Sequence, residues 1–129
     1  MLKRKLGIGF LMALVLALVA SQVFAGTTTF NVVVPRLGGT TSTNVTTKST
    51  TVQQWAVANI AVGANKTVQF RPYKGSTALA ANWINGSTGS QLWNPYSTNQ
   101  AVGTVIYLKI KTKALEKVSV QVSGYFDSQ

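Results

Sequence analysis

The chain has no cysteine and no histidine, and its 129 residues include only two acids and three prolines. No disulfide can form, so core packing alone must hold the fold. Without imidazole or thiol, the common zinc ligands and the usual general base near neutral pH are missing. Glycoside hydrolysis ordinarily needs two carboxylates flanking one bond. The chain has Glu116 and Asp127, one beside Lys117 and the other near the C-terminus. A Ser–Lys nucleophile finds no supporting spacing. Lys74-Gly75-Ser76-Thr77 lacks the preceding glycine-rich loop that cradles phosphate. The expectation is a protein without catalysis, metal or cofactor.

Scarcity of acid also leaves the charge one-sided. Twelve basic residues against two acids give a net charge of +10. That balance suits an anionic partner: a wall polymer, an acidic glycan, phospholipid head groups or nucleic acid. The competing reading is that the charge only keeps a Thr- and Asn-rich surface soluble.

The first 25 residues stand apart. Lys3, Arg4 and Lys5 precede an apolar run, Leu6 to Ala20, and Val23-Phe24-Ala25 puts small residues at −3 and −1 of a cleavage site. This layout predicts a secretory signal peptide over 1–25. As a membrane anchor the run is short of the roughly 20 residues a span needs, and Ser21 and Gln22 end it. A pilin-type leader cut after Gly7 lacks the acid that usually follows. Cleavage leaves 26–129, which is 104 residues with nine basic side chains and two acids, a net charge of +7. One domain is expected. The GYFDSQ ending carries no hydrophobic tail, so no transmembrane anchor is expected after cleavage. The expected location is extracellular, either released or held at the cell surface by non-covalent contacts.

The remaining pattern has period two and is rich in Thr, Val and aromatics, with turn residues between runs, which predicts strands. In Thr27–Val34, Phe30, Val32 and Val34 share a face. The Ser/Thr stretch 40–51 reads as one or two edge strands, with Lys48 discouraging edge-to-edge pairing. Val52–Val62 points Trp55 and Val57 inward, and Gly63–Lys66 reads as a hairpin turn into Thr67–Phe70. The stretch 76–99 is the least regular. The C-terminal pattern reads as a hairpin closed by Ala114-Leu115-Glu116. Ile106, Leu108 and Ile110 face the core with Val118, Val120, Val122 and Phe126. On that register Lys113 lies opposite Lys117 and Lys111 opposite Ser119. The fold class predicted is all-β: a small antiparallel sandwich or barrel of six to eight strands.

The same register sets Lys109, Lys111, Lys113 and Lys117 on one solvent face, with Tyr107 and Tyr125 toward its far end. Same-face neighbours on a strand lie about 6.6–6.8 Å apart, and opposed like charges are unfavourable by a few tenths of a kcal/mol or more. Stability alone would not select this row. Either an anionic ligand uses it, or it prevents a sticky sheet from stacking. Tyr107 and Tyr125 are also what a nucleic-acid platform would need, but no specific nucleic acid is the expected partner of an exported protein. Trp83, Trp93 and Tyr96 form a second candidate group. They read either as a stacking platform for sugars or a partner anchor, or as a plug at one end of the core. Asn44-Val45-Thr46, Asn65-Lys66-Thr67 and Asn85-Gly86-Ser87 fit the N-glycosylation pattern, which arises easily in such a composition.

The ending VSVQVSGYFDSQ, Val118–Gln129, resembles small secreted proteins of Gram-positive bacteria. The overall layout is similar to lactococcin-like bacteriocins in being exported, cysteine-free, cationic and Trp-bearing. The resemblance implies a protein acting on bacterial envelopes and assigns no residue a role. Three readings follow: a secreted cationic binding protein on an anionic envelope or extracellular polymer, a bacteriocin-like effector, and a self-assembling fibre or matrix subunit. The last would make the protein a homo-oligomer.

Overall fold

The computed structural model describes residues 26–129, and the segment read as a signal peptide lies outside the described residues. Among the described residues, ten strands form two antiparallel sheets. The first has the order β1–β10–β4–β8, from Thr27–Val34 (β1), Val120–Asp127 (β10), Gln54–Val62 (β4) and Leu92–Pro95 (β8). The second is centred on Val105–Thr112 (β9) paired with Val68–Lys74 (β5). Its two edges are broken into short pieces. Thr40–Ser42 (β2) and Thr46–Thr47 (β3) both pair with β9, and Thr77–Ala78 (β6) and Ile84–Gly86 (β7) both pair with β5. With each broken edge taken as one row, the molecule is a four-on-four sandwich, consistent with the predicted fold class.

The core lies between the inner faces, as in other sheet-on-sheet packings. Phe30, Val34, Trp55 and Val57 meet Val68, Phe70, Ile106, Leu108 and Ile110, with Val120, Val122 and Phe126 from β10. Phe30 and Phe70 touch across the layer at a ring separation of 6.4 Å. Alternation slips once. Trp55 and Val57 point inward, then Ile60 and Val62, because Asn59 takes a left-handed φ of 52° and the β4–β10 register shifts between Ser123 and Tyr125. One extra residue on β4 is a bulge, and Asn is among the residues best suited to that conformation.

Several pairings differ from expectation. β9 does not form a hairpin with β10. It pairs with β5, and the chain crosses to the other sheet through 113–119. Gly63–Lys66 is likewise a sheet-to-sheet crossing containing a 3-10 turn, Gly63–Asn65, and not a hairpin turn. Both predictions failed for one reason. Alternation says which side of a strand is apolar, and an inward side is equally apolar whether the next strand lies beside it or across the core. Val118 falls in the crossing and is 46% exposed instead of facing the core. Lys48 is not an exposed edge charge but is fully buried. No helix among the described residues is long and apolar enough to cross a membrane.

Candidate cationic and aromatic face

The outer face of the second sheet follows from the register. Along β9, Tyr107, Lys109 and Lys111 alternate with the buried Ile106, Leu108 and Ile110. Along β5, Gln69, Arg71 and Tyr73 alternate with Val68, Phe70 and Pro72. Pairing sets Tyr107 beside Tyr73, Lys109 beside Arg71, and Lys111 beside Gln69. On the other flank β2 puts Ser42 beside Lys109 and Thr40 beside Lys111. Trp83, just before β7, joins the same face.

These side chains are mutually supported. Tyr73 stacks on Tyr107 with ring centroids 6.0 Å apart and an interplanar angle of 23°, and meets Trp83 at 6.3 Å. The Lys109 ammonium sits 4.5 Å from the Tyr73 ring centroid, and the Lys111 ammonium 4.3 Å from that of Trp83. Both separations lie within cation–π range. Arg71 lies along Tyr73 and donates from Nε to the Ala80 carbonyl at 2.8 Å and from Nη2 to that of Ala81 at 3.1 Å. It thereby bridges the gap between β6 and β7. The Tyr107 hydroxyl donates to the Gly75 carbonyl. All of these rings and cations are half-buried, so their positions are held while their outer surfaces reach solvent.

Neither acid compensates this face. Glu116 pairs with Lys66 at 3.4 Å in the 113–119 crossing, and Asp127 ends β10 in the other sheet. Seven residues of β10, Val120 to Phe126, lie between the two carboxylates along with the end of the crossing. At about 3.3 Å per residue that is on the order of 25 Å, far beyond the roughly 5–9.5 Å that lets two carboxylates flank one glycosidic bond.

Of the residues predicted as a lysine face, Lys109, Lys111 and Tyr107 are together. Lys113 and Lys117 are not in the row: both are exposed in the crossing at the end of the sandwich. Tyr125 lies on the outer face of the first sheet, opposite Thr29 and Ala58. The predicted aromatic loop is also dispersed. Trp83 belongs to the cationic face. Trp93, 57% exposed, stands beside Ala56 on the outer face of the first sheet. Tyr96 is buried at the end of the core and donates its hydroxyl to the Ser128 carbonyl at 2.8 Å. Arg71 and Tyr73 were missed. Alternation in VQFRPY shows that they point outward with Gln69, but only the β5–β9 pairing brings them against the lysines.

A second basic cluster occupies the end where β1, β4 and β9 leave their sheets. Lys66, Lys113 and Lys117 surround Glu116, with Leu115 and Val118, around a hollow of about 400 Å³. At the opposite end an open groove of about 930 Å³ runs between Lys74–Thr77 and Val102–Val105, with Val45 and Tyr107 on its walls. Comparison with protein-family models, curated proteins and solved structures gives no match for this chain, so its own surface is what speaks for its function.

Proposed function

We propose that the protein is an exported, non-enzymatic binding protein whose second-sheet outer face attaches to an anionic polymer of a cell envelope or extracellular matrix. The observation that supports this reading best is the set of three cations, Arg71, Lys109 and Lys111, held against Tyr73 and Trp83 with no acid on the face. A ligand that supplied negative charge would relieve their mutual repulsion. Because each lysine already rests on a ring, little side-chain entropy is lost when it takes a partner. A linear polymer of repeated anionic groups fits a flat face better than a compact ligand, since the face offers positions along two strands and no deep cavity. The export part of this reading rests on the signal-peptide layout of residues 1–25 alone.

Cosedimentation with cell walls, with and without their anionic polymer, tests this. Binding should disappear with the polymer. It should weaken steeply as salt shortens the screening length from about 10 Å at 0.1 M to about 3 Å at 1 M. The double variant Lys109→Gln/Lys111→Gln should lose at least about tenfold in affinity, the equivalent of about 1.4 kcal/mol. Binding that survives both high salt and this variant would overturn the reading.

A further inference from the structure

The second basic cluster stands apart from the polymer-binding face, and its apolar neighbours are unusual. Leu115 is 88% exposed and Leu37 is 62% exposed. Single exposed leucines are ordinary, but these two are tied together. The Leu37 N–H donates to the carbonyl of Glu116 at 2.8 Å, and that of Gly38 to Lys113 at 3.1 Å. The two crossing loops are therefore joined backbone to backbone, and each carries an exposed leucine.

Nor is Leu37 exposed because its loop is loose. The buried Thr112 hydroxyl donates to the Pro35 carbonyl at 2.7 Å and accepts from Gly38 N–H at 3.1 Å, while the Gly39 carbonyl accepts from Thr112 N–H at 3.2 Å. Within this clamp Leu37 takes a φ of +59°. That left-handed conformation is unfavourable for a bulky residue, so the fold holds a strained leucine out into water. The cations frame it: Arg36 precedes Leu37, and Lys113 and Lys117 flank Leu115. The local acid is already paired with Lys66.

We propose that this end of the sandwich is a membrane-docking tip for an anionic phospholipid surface. Leu37 and Leu115 enter the interfacial layer, and Lys113 and Lys117, at the rim of the hollow beside the neutralised Lys66–Glu116 pair, receive a lipid phosphate. Charge complementarity selects this occupant over a protein, because two strongly exposed leucines are bracketed in the chain by Arg36, Lys113 and Lys117. A bilayer offers its acyl boundary to such leucines and its phosphates to such cations. The proposal does not depend on the polymer-binding reading, since the two surfaces share no residue.

The test is vesicle cosedimentation of the purified protein. Vesicles of phosphatidylcholine alone should bind little, and vesicles of phosphatidylcholine with phosphatidylglycerol should bind well. Lys113→Gln and Lys117→Gln should each lower partitioning to the anionic vesicles roughly fivefold, as expected for one basic residue at such a surface. Leu37→Asn/Leu115→Ser should lower it by at least about tenfold. Asn accepts a left-handed φ more readily than Leu, so this variant should melt no lower than the parent, which separates lost docking from lost fold. Polymer binding should be unchanged in the tip variants, and vesicle binding should be largely kept in Lys109→Gln/Lys111→Gln. No vesicle binding, equal binding to neutral and anionic vesicles, or binding indifferent to the leucines would each overturn the proposal.

Discussion

Lys48 places an ammonium where no solvent reaches it. Its Nζ donates to main-chain oxygens of Thr50 at 2.7 Å, of Gln129 at 3.0 Å and of Val52, and lies 5.8 Å from the Tyr96 ring centroid. The cation thereby clasps the end of the chain against the loop before β4. Replacing it with Met removes a costly burial of charge but leaves three oxygens without this donor. A fully buried acceptor left unpaired is unfavourable by about 1–3 kcal/mol, and these three, on exposed or half-buried residues, cost a fraction of that each. The second effect should win, and Lys48→Met should lower unfolding stability by about 2 kcal/mol, read from the urea midpoint. Desolvation lowers the Lys48 pKa, against a smaller raising effect of Asp127. The unfolded chain therefore keeps this proton to higher pH than the folded one, and stability should rise as pH approaches the ordinary lysine value of about 10.4 from below. Burial, with Asp127 second, raises the Tyr96 pKa well above its ordinary value. Its hydroxyl ionises first in the unfolded chain, so stability should fall once pH passes about 10. Urea midpoints taken through this range should show a rise and then a fall, and Lys48→Met should keep only the fall.

At the scale of the strand, repulsion and support compete on β9. Like charges on neighbouring strands are unfavourable by about 0.2–1 kcal/mol per pair, whereas an ammonium over an exposed ring gains about 0.5–1 kcal/mol. These nearly cancel, so Lys109→Gln or Lys111→Gln should each shift stability by less than about 0.5 kcal/mol. Thermal melts of the variants check this, and a near-neutral outcome means that any loss of polymer binding is not a loss of fold. Gly124 is the contrasting position. An added Cβ would sit 2.8 Å from Phe30 Cζ and 3.1 Å from the Ala58 carbonyl oxygen, beside the β4 bulge. Gly124→Ala should destabilise by about 1–3 kcal/mol, as overpacking does. Such features explain what was legible beforehand. Inward residues such as Phe30, Trp55, Phe70, Leu108 and Val122 declare themselves by alternation, and so do the outward Lys109 and Lys111. Strand partners do not, because pairing is a long-range property. Alternation alone therefore leaves Arg71 and Tyr73 out of the cationic face and groups Lys113, Lys117 and Tyr125 with residues they do not meet. The stretch around Lys48 is polar on both sides, so nothing local marks it as inward, and only the tertiary fold closes over it.

The whole molecule bears on the fibre reading through its edges. A self-assembling sheet protein needs a long free edge as a template for the next copy. The second sheet offers little: its edges are pieces of three and two residues on either side. The Thr-rich stretch that such a fibre would pair through is therefore interrupted, and its β2 and β3 pieces already spend one side on β9. In the first sheet β8 is four residues long and ends in Pro95, which has no N–H to donate. Only β1, eight residues with Val33 62% exposed, is a long outer strand among those described. A net charge of +7 on 26–129 opposes close approach of copies at low salt. Light scattering at low ionic strength should therefore find a monodisperse monomer. Raising the salt screens the repulsion without creating an edge, so the mass should stay that of one chain. If large particles formed instead, β1 would be the template. Val33→Lys, which places a charge on that strand, should then dissolve them while Lys109→Gln/Lys111→Gln should not. Particles that ignored Val33→Lys would mean that copies associate through a face, and the aromatic and cationic surface of the second sheet would be where to look.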